Sequence, residues 1–201
     1  MPLRPLTLVE AIVRAELQGS RLLELCDVTT PPVPETIITT LPKLRVDRLS
    51  PIPVSGSTHW ARGRWVIVLN GAEPPVRQRF SLAHEFKHVI DHPFVHFLYP
   101  DQLGMSARDR REQMADYFAA CLLMPRAWVK RLYCDQSVQN LSSLARHFGV
   151  SKMAMNIRLL QLGLVEPPQR CDRSEYHREG GDSIVRTTAS LISSLETGAA
   201  A

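Results

Sequence analysis

The chain has 201 residues, 44% hydrophobic and 22% charged, the makeup of a globular protein of one domain with a small appendage. A net charge of +4 is too slight for a dedicated nucleic-acid binder with a dense basic patch, and no run of about twenty apolar residues is present to cross a membrane. Cys26, Cys121, Cys134 and Cys171 are scattered without CxxC spacing, and Glu10 and Arg14 interrupt any leader-like pattern at the start, so the expectation is a reduced, cytoplasmic protein.

In chain order, Leu6 to Cys26 has apolar residues in helical steps and predicts an amphipathic helix. Pro31, Pro32 and Pro34 break the chain. Lys43 to Leu49 alternates in part and predicts a strand, and Ser55-Gly56-Ser57 is a turn signal. Thr58 to Ala61 and Trp65 to Leu69 flank Arg62-Gly63-Arg64 as a hairpin, with Trp65 to Leu69 the strongest strand. Pro74-Pro75 is a suitable helix start and Pro93 a stop. Between them Leu82, Phe86, Val89 and Ile90 form an apolar stripe at helical period. A loop runs through Tyr99-Pro100. Ser106 to Leu123 predicts a second long helix, with Ser106 as N-cap and Asp109 three residues on. A short helix follows near Arg126 to Cys134.

The first long helix carries His84-Glu85-Phe86-Lys87-His88, an HExxH motif. Residues four apart share a helix face, so His84 and His88 can grip one metal ion. Glu85 lies close to that face and can take a proton from a water at the metal without being a ligand. Two imidazoles and a carboxylate base make up half of a zinc hydrolase site.

Such a site needs a third protein ligand. The extension HExxHxxGxxH is absent, because Asp91 and Phe94 stand at the glycine and third-histidine positions. His92 continues the row of histidines but sits where the helix ends, and reads as a neighbour of the site rather than a ligand. In the second helix Met114, Phe118, Cys121 and Leu122 form the apolar stripe. Glu112 and Asp116 share another face with Ala115 and Ala119, small residues that allow close approach to the HExxH helix. By spacing alone, Glu112 as ligand with Asp116 behind a histidine and a solvated acidic pair beside Arg108, Arg110 and Arg111 are equally good readings.

Arg79-Phe80-Ser81-Leu82-Ala83-His84-Glu85-Phe86-Lys87-His88, then Glu112 to Asp116, then Phe118-Ala119-Ala120-Cys121-Leu122-Leu123-Met124-Pro125, then Phe148-Gly149-Val150-Ser151 with Ala154, Arg158-Leu159 and Leu162-Gly163, together resemble the ImmA/IrrE family of metallopeptidases over roughly residues 40 to 165. One position departs: many members carry a second glutamate two residues after the ligand, where this chain has Met114. The resemblance implies a zinc ion held by His84, His88 and Glu112, with Asp116 behind them and Glu85 as the catalytic glutamate. It implies cleavage of a helix-turn-helix transcriptional repressor, switching genes on under stress or in mobile elements. A zinc-bearing module that binds a repressor or DNA without cutting is the other reading, disfavoured by Glu85, because a structural zinc needs no base.

The expected fold is α+β: a small antiparallel or mixed sheet packed on a zincin-like HExxH helix and further helices, with a helix-turn-helix-like segment towards the C-terminus. The metallopeptidase domain is expected over 1–135, the helical segment over 136–166, and a flexible or docking tail over 167–201. Within the helical segment Gly149 makes the turn and Ser151 caps the second helix. On DNA, that helix would present Lys152, Met153 and Asn156, with Arg146 and Arg158 near phosphates. So few contacts make DNA binding the lesser expectation and protein docking the better one. The hairpin of residues 58 to 69 is a candidate cleft edge to which an extended substrate could add as a strand. His59, Trp60 and Trp65 could line it, although packing within the sheet is the more ordinary role of each. Tyr117, His92 and His59 are weak candidates for donors to a developing oxyanion.

Overall fold

The computed structural model describes residues 4, 6–99, 105–136 and 138–166. The tail expected over 167–201, including the short helix read at Ile184 to Leu195, lies outside the described residues.

Helix α1 (Leu8–Leu25) begins with a full capping box. The Thr7 hydroxyl accepts from the Glu10 backbone, and the Glu10 carboxylate accepts from the Thr7 backbone. A short helix α2 (Thr36–Thr39) follows the proline-rich break and has no counterpart in the sequence reading. Its four residues are too few to show helical periodicity. Strands β1 (Leu44–Leu49), β2 (Gly56–Ala61) and β3 (Arg64–Asn70) form one mixed sheet in the order β1-β3-β2. β1 runs parallel to β3, and β2 pairs antiparallel with β3. Arg62 and Gly63 join β2 to β3, both with positive φ, at 50° and 76°. That conformation matches the twist of a two-residue hairpin. The turn signal at Ser55-Gly56-Ser57 proves to be the start of β2 instead.

Strand register sorts the side chains. Leu44, Val46 and Arg48, then Trp65, Ile67 and Leu69, then Gly56, Thr58 and Trp60 share one face, because successive residues alternate. Ile67 and Leu69 at its centre are wholly buried. The long helix α3 (Pro75–Asp91) lies on that face, opened by proline in its first turn. A 3-10 turn (His92–Phe94) and a one-turn helix α4 (Val95–Leu98) follow in the stretch expected to be loop. Helix α5 (Ala107–Leu123) is capped by Ser106, whose hydroxyl accepts from the Asp109 backbone. α5 packs on the other side of α3 and against α1. Met114, Ala115, Phe118, Ala119 and Leu122 are completely buried there. α3 therefore has protein on two sides, and its burial extends well beyond the expected stripe to Glu85, Lys87, His88 and Asp91.

Helix α6 (Arg126–Lys130) continues into a π-turn over Arg131–Asp135. Helices α7 (Leu141–Phe148) and α8 (Lys152–Gln161) meet at Gly149, whose φ of 64° is left-handed, and Ser151 caps α8. Leu144, Phe148, Val150, Met155 and Leu159 enter the same apolar cluster as α1, α3 and α5. Two arginines bind this helical pair to the rest. Arg79 Nε of α3 donates to the Gly149 carbonyl at 3.1 Å. Arg158 Nε of α8 donates to the Met124 carbonyl at 3.1 Å. The expectation of Arg158 near phosphates is thereby corrected, since its side chain is only 1% exposed. The helical spacing showed that Arg158 lies on α8, but the partner it faces is fixed by the packing on Met124.

Candidate metal centre

α3 and α5 cross where both present small or polar residues. Ala115 and Ala119, fully buried, bring α5 close, and Glu112 and Asp116 face His84 and His88. His84 Nε2 lies 3.2 Å from Glu112 Oε2 and 3.1 Å from His88 Nε2. His88 Nε2 lies 3.5 Å from Glu112 Oε1. Bonds of about 2.0–2.1 Å at tetrahedral angles separate ligand atoms by about 3.3–3.4 Å. The three residues thus could hold one tetrahedral ion without moving their backbones. The Glu112 side chain is about half exposed, so the side of the site that it borders is open to solvent.

The surroundings set the state of each of these donors. His84 Nδ1 is 2.8 Å from Asp116 Oδ1. A carboxylate only accepts, so Nδ1 carries the proton and Nε2 offers its lone pair to an ion. Burial opposes a charge on His84, but its hydrogen bonds to Asp116 and Glu112 prevail and lift its pKa to about 9. The same contacts, from His84 and then His88, hold the Glu112 carboxyl well below the usual carboxylate range. His88 differs. Its Nδ1 accepts from Arg111 Nε at 3.0 Å, and a guanidinium can only donate. A neutral His88 in that contact bears its proton on Nε2. Loading an ion on Nε2 therefore requires Arg111 to release the ring.

Glu85 stands apart from the three. It is 8% exposed and takes the Thr58 hydroxyl on Oε2 at 2.6 Å. A Cβ built on Gly56 would come within 2.9 Å of Glu85 Cγ. β2 thus cradles the carboxylate, and a side chain at position 56 would displace it. A glycine inside a strand often marks such a close approach, a signal available in the sequence but hidden by its place in a serine-glycine turn pattern. Thr58 and Arg111 carry no comparable signal.

The structure also sorts the weaker candidates. His59 is on the outward face of β2 and exposed, so it does not line the cleft and cannot reach an oxyanion at the site. Tyr117 is buried beside Cys121, Arg158 and Glu16, on the α1 side of α5, and is excluded on the same ground. His92 is not among the metal-competent group. Its ring stacks edgewise on Trp65 at 4.8 Å.

A helix bearing two histidines, a second helix bearing the glutamate and a sheet whose edge strand lies against the first helix form the layout of an HExxH metal site. Residues 43–160 match the family described as IrrE N-terminal-like domain, Peptidase_M78, and the chain belongs to that metal-dependent family. Among solved structures, the chain resembles a Mycobacterium tuberculosis transcriptional regulator, with a TM-score of 0.61 and 18% identity over 73% of this chain. The likeness takes in 55% of that regulator, so this chain corresponds to about half of it, and at such identity it speaks for the fold. No curated protein matches the chain in sequence. Among the described residues no helix is long and apolar enough to cross a membrane.

Proposed function

We propose that the protein is a zinc-dependent endopeptidase that cuts a helix-turn-helix transcriptional repressor and so regulates gene expression. The observation that carries this reading is the division of labour at the site. Three donors converge at tetrahedral spacing, while Glu85 is excluded from them and held on Thr58 at 2.6 Å. His84, His88 and Glu112 would hold a zinc ion, which would supply Lewis-acid polarisation of a carbonyl and make a water more acidic. Glu85, desolvated and oriented by Thr58 and Gly56, accepts the water's proton and returns it to the leaving amine. Asp116 keeps the His84 ring in its ligating tautomer. β2 is an edge strand of the sheet, a place where an extended substrate could add. The repressor as target draws on the family and on the kinship of fold with a transcriptional regulator.

The test is to incubate the zinc-loaded protein with a lysate of its source cells and sequence the new N-termini. One dominant cut within a helix-turn-helix repressor is expected. Cuts spread over many unrelated proteins would remove the repressor assignment.

A second reading is a zinc-binding regulatory module that holds a repressor or DNA without cutting it. Both readings share the metal site, and cleavage separates them. The purified protein is expected to take up about one zinc per chain. Glu112→Ala loses most of it, and Arg111→Gln binds zinc about tenfold more tightly by losing one charge-assisted hydrogen bond and one positive charge. Zinc uptake with no cleavage of any protein in the lysate would establish the module instead.

A further inference from the structure

We propose that Trp60, Trp65 and His92 form a side-chain subsite for a large apolar or aromatic residue of an extended peptide. That residue lies about two positions N-terminal to the bond at the metal. The inference rests on the peptidase reading and adds the substrate's sequence preference to it.

β2 is an edge strand of the three-stranded sheet, and within that sheet it pairs on one side only, with β3. A peptide added there gains main-chain hydrogen bonds along its length, and pockets for alternate side chains then select its sequence. Thr58 marks the level of the chemistry, because its hydroxyl sits on Glu85. Trp60 is the next residue of β2 on the same face, one strand repeat or about 6.6–6.8 Å further on. A peptide side chain level with Trp60 therefore lies about two residues from the side chain level with Glu85. Antiparallel pairing is the more stable kind. It places the Trp60 level on the N-terminal side of the bond, since β2 itself runs from Gly56 towards Ala61.

The wall at that level is aromatic and comes from three elements. Trp60 of β2 meets Trp65 of β3 edge to face at 5.4 Å, and Trp65 meets His92, after the end of α3, at 4.8 Å. Trp65 is half-buried, while Trp60 remains 55% exposed. A single exposed apolar side chain is ordinary on a protein surface. Trp60 differs by standing on the site-facing side of the edge strand, with its ring orientation set by a second and a third ring. Edge-to-face geometry leaves ring surface open for another aromatic or a long aliphatic side chain. His92 thus contributes through Trp65 rather than through the metal.

Two measurements test the subsite with the full chain loaded with zinc. In the first, the Glu85→Gln protein is titrated with two fluorescent Ala/Ser decapeptides, one carrying a central Phe, and anisotropy is read. The Phe peptide is expected to bind about tenfold or more tightly. That ratio collapses towards one in the Trp60→Ala, Glu85→Gln protein and persists with Trp60→Phe. In the second, wild-type protein digests a random decapeptide library, and the products are sequenced. Phe, Trp, Leu or Met is expected about tenfold enriched two positions before the cut, an enrichment lost in Trp60→Ala. Binding preference without any cutting by the wild type retains the subsite and removes the peptidase reading. Cutting with no such enrichment, with enrichment after the bond, or with enrichment that Trp60→Ala leaves unmoved overturns the subsite and retains the peptidase. Neither binding nor cutting overturns both.

Discussion

Glu85→Gln is expected to keep its zinc and its fold and to lower kcat/KM on a cleavable peptide by about 10²–10⁴-fold, the usual span for loss of a general base. The side chain is nearly isosteric, and the pocket around it tolerates the change. Thr58, which donates to Glu85 Oε2 at 2.6 Å, can donate equally to the amide oxygen of glutamine. Gly56 leaves room at the carboxylate but none to spare, with only 2.9 Å between its hypothetical Cβ and Glu85 Cγ, so a larger residue at 85 would be a poorer test. Glu85 is not among the residues that could hold an ion, so metal content should equal that of the wild type. Zinc analysis, thermal melting and peptide kinetics on the two proteins together check this. A variant that retains more than about a tenth of the wild-type rate would show that the proton goes elsewhere.

The largest effect on stability is expected at Asp91, outside the group that could hold an ion. Lys87 and Asp91 are each 2% exposed and paired at 2.7 Å. Gln18 of α1 accepts a second hydrogen bond from Lys87 Nζ at 2.6 Å, and the Tyr99 hydroxyl donates to the other Asp91 oxygen. Burial drives the Lys87 pKa down, against the pull of Asp91, and burial followed by the Asp91 charge drives the Tyr99 pKa up. Asp91→Ala leaves an ammonium in the interior with one neutral hydrogen-bond partner, Gln18, and the Phe118 ring. The expected cost is about 3–5 kcal/mol, the range for breaking a buried pair from one side. Lys87→Met with Asp91→Leu should lose much less, because an apolar pair of similar volume needs no desolvation. Denaturant unfolding of the metal-free proteins gives both values. An Asp91→Ala loss below about 1 kcal/mol would place the pair in the range of solvated surface bridges. The network ties α1 and the segment after α4 to the helix that carries both histidines. Its loss should therefore weaken zinc binding as well.

Much of the candidate site was legible because it is written in local periodicity. HExxH within a helical stripe places His84 and His88 on one face. The alternation and turn residues at 44–70 predict three strands, and the caps at Ser106 and Ser151 mark helix starts that the structure reproduces. Spacing alone left Glu112 and Asp116 undecided between a ligand with a carboxylate behind a histidine and a solvated pair. The approach of α5 to α3 decided that they face the histidines, and this approach depends on contacts between segments almost thirty residues apart. The same holds for Thr58 and Gly56 around Glu85, for Arg111 on His88, for Arg158 turned inward onto Met124, and for the buried Lys87. A charged side chain reads as surface in a sequence, because burial is a property of what packs over it. The sequence by itself determined which elements form and which residues share a face, since those follow from backbone periods of 3.6 and 2. Only the tertiary structure decided which faces meet, and with them the group that could hold an ion, the cradle of Glu85 and the aromatic wall beside it, because these depend on pairings between segments that local propensity does not specify.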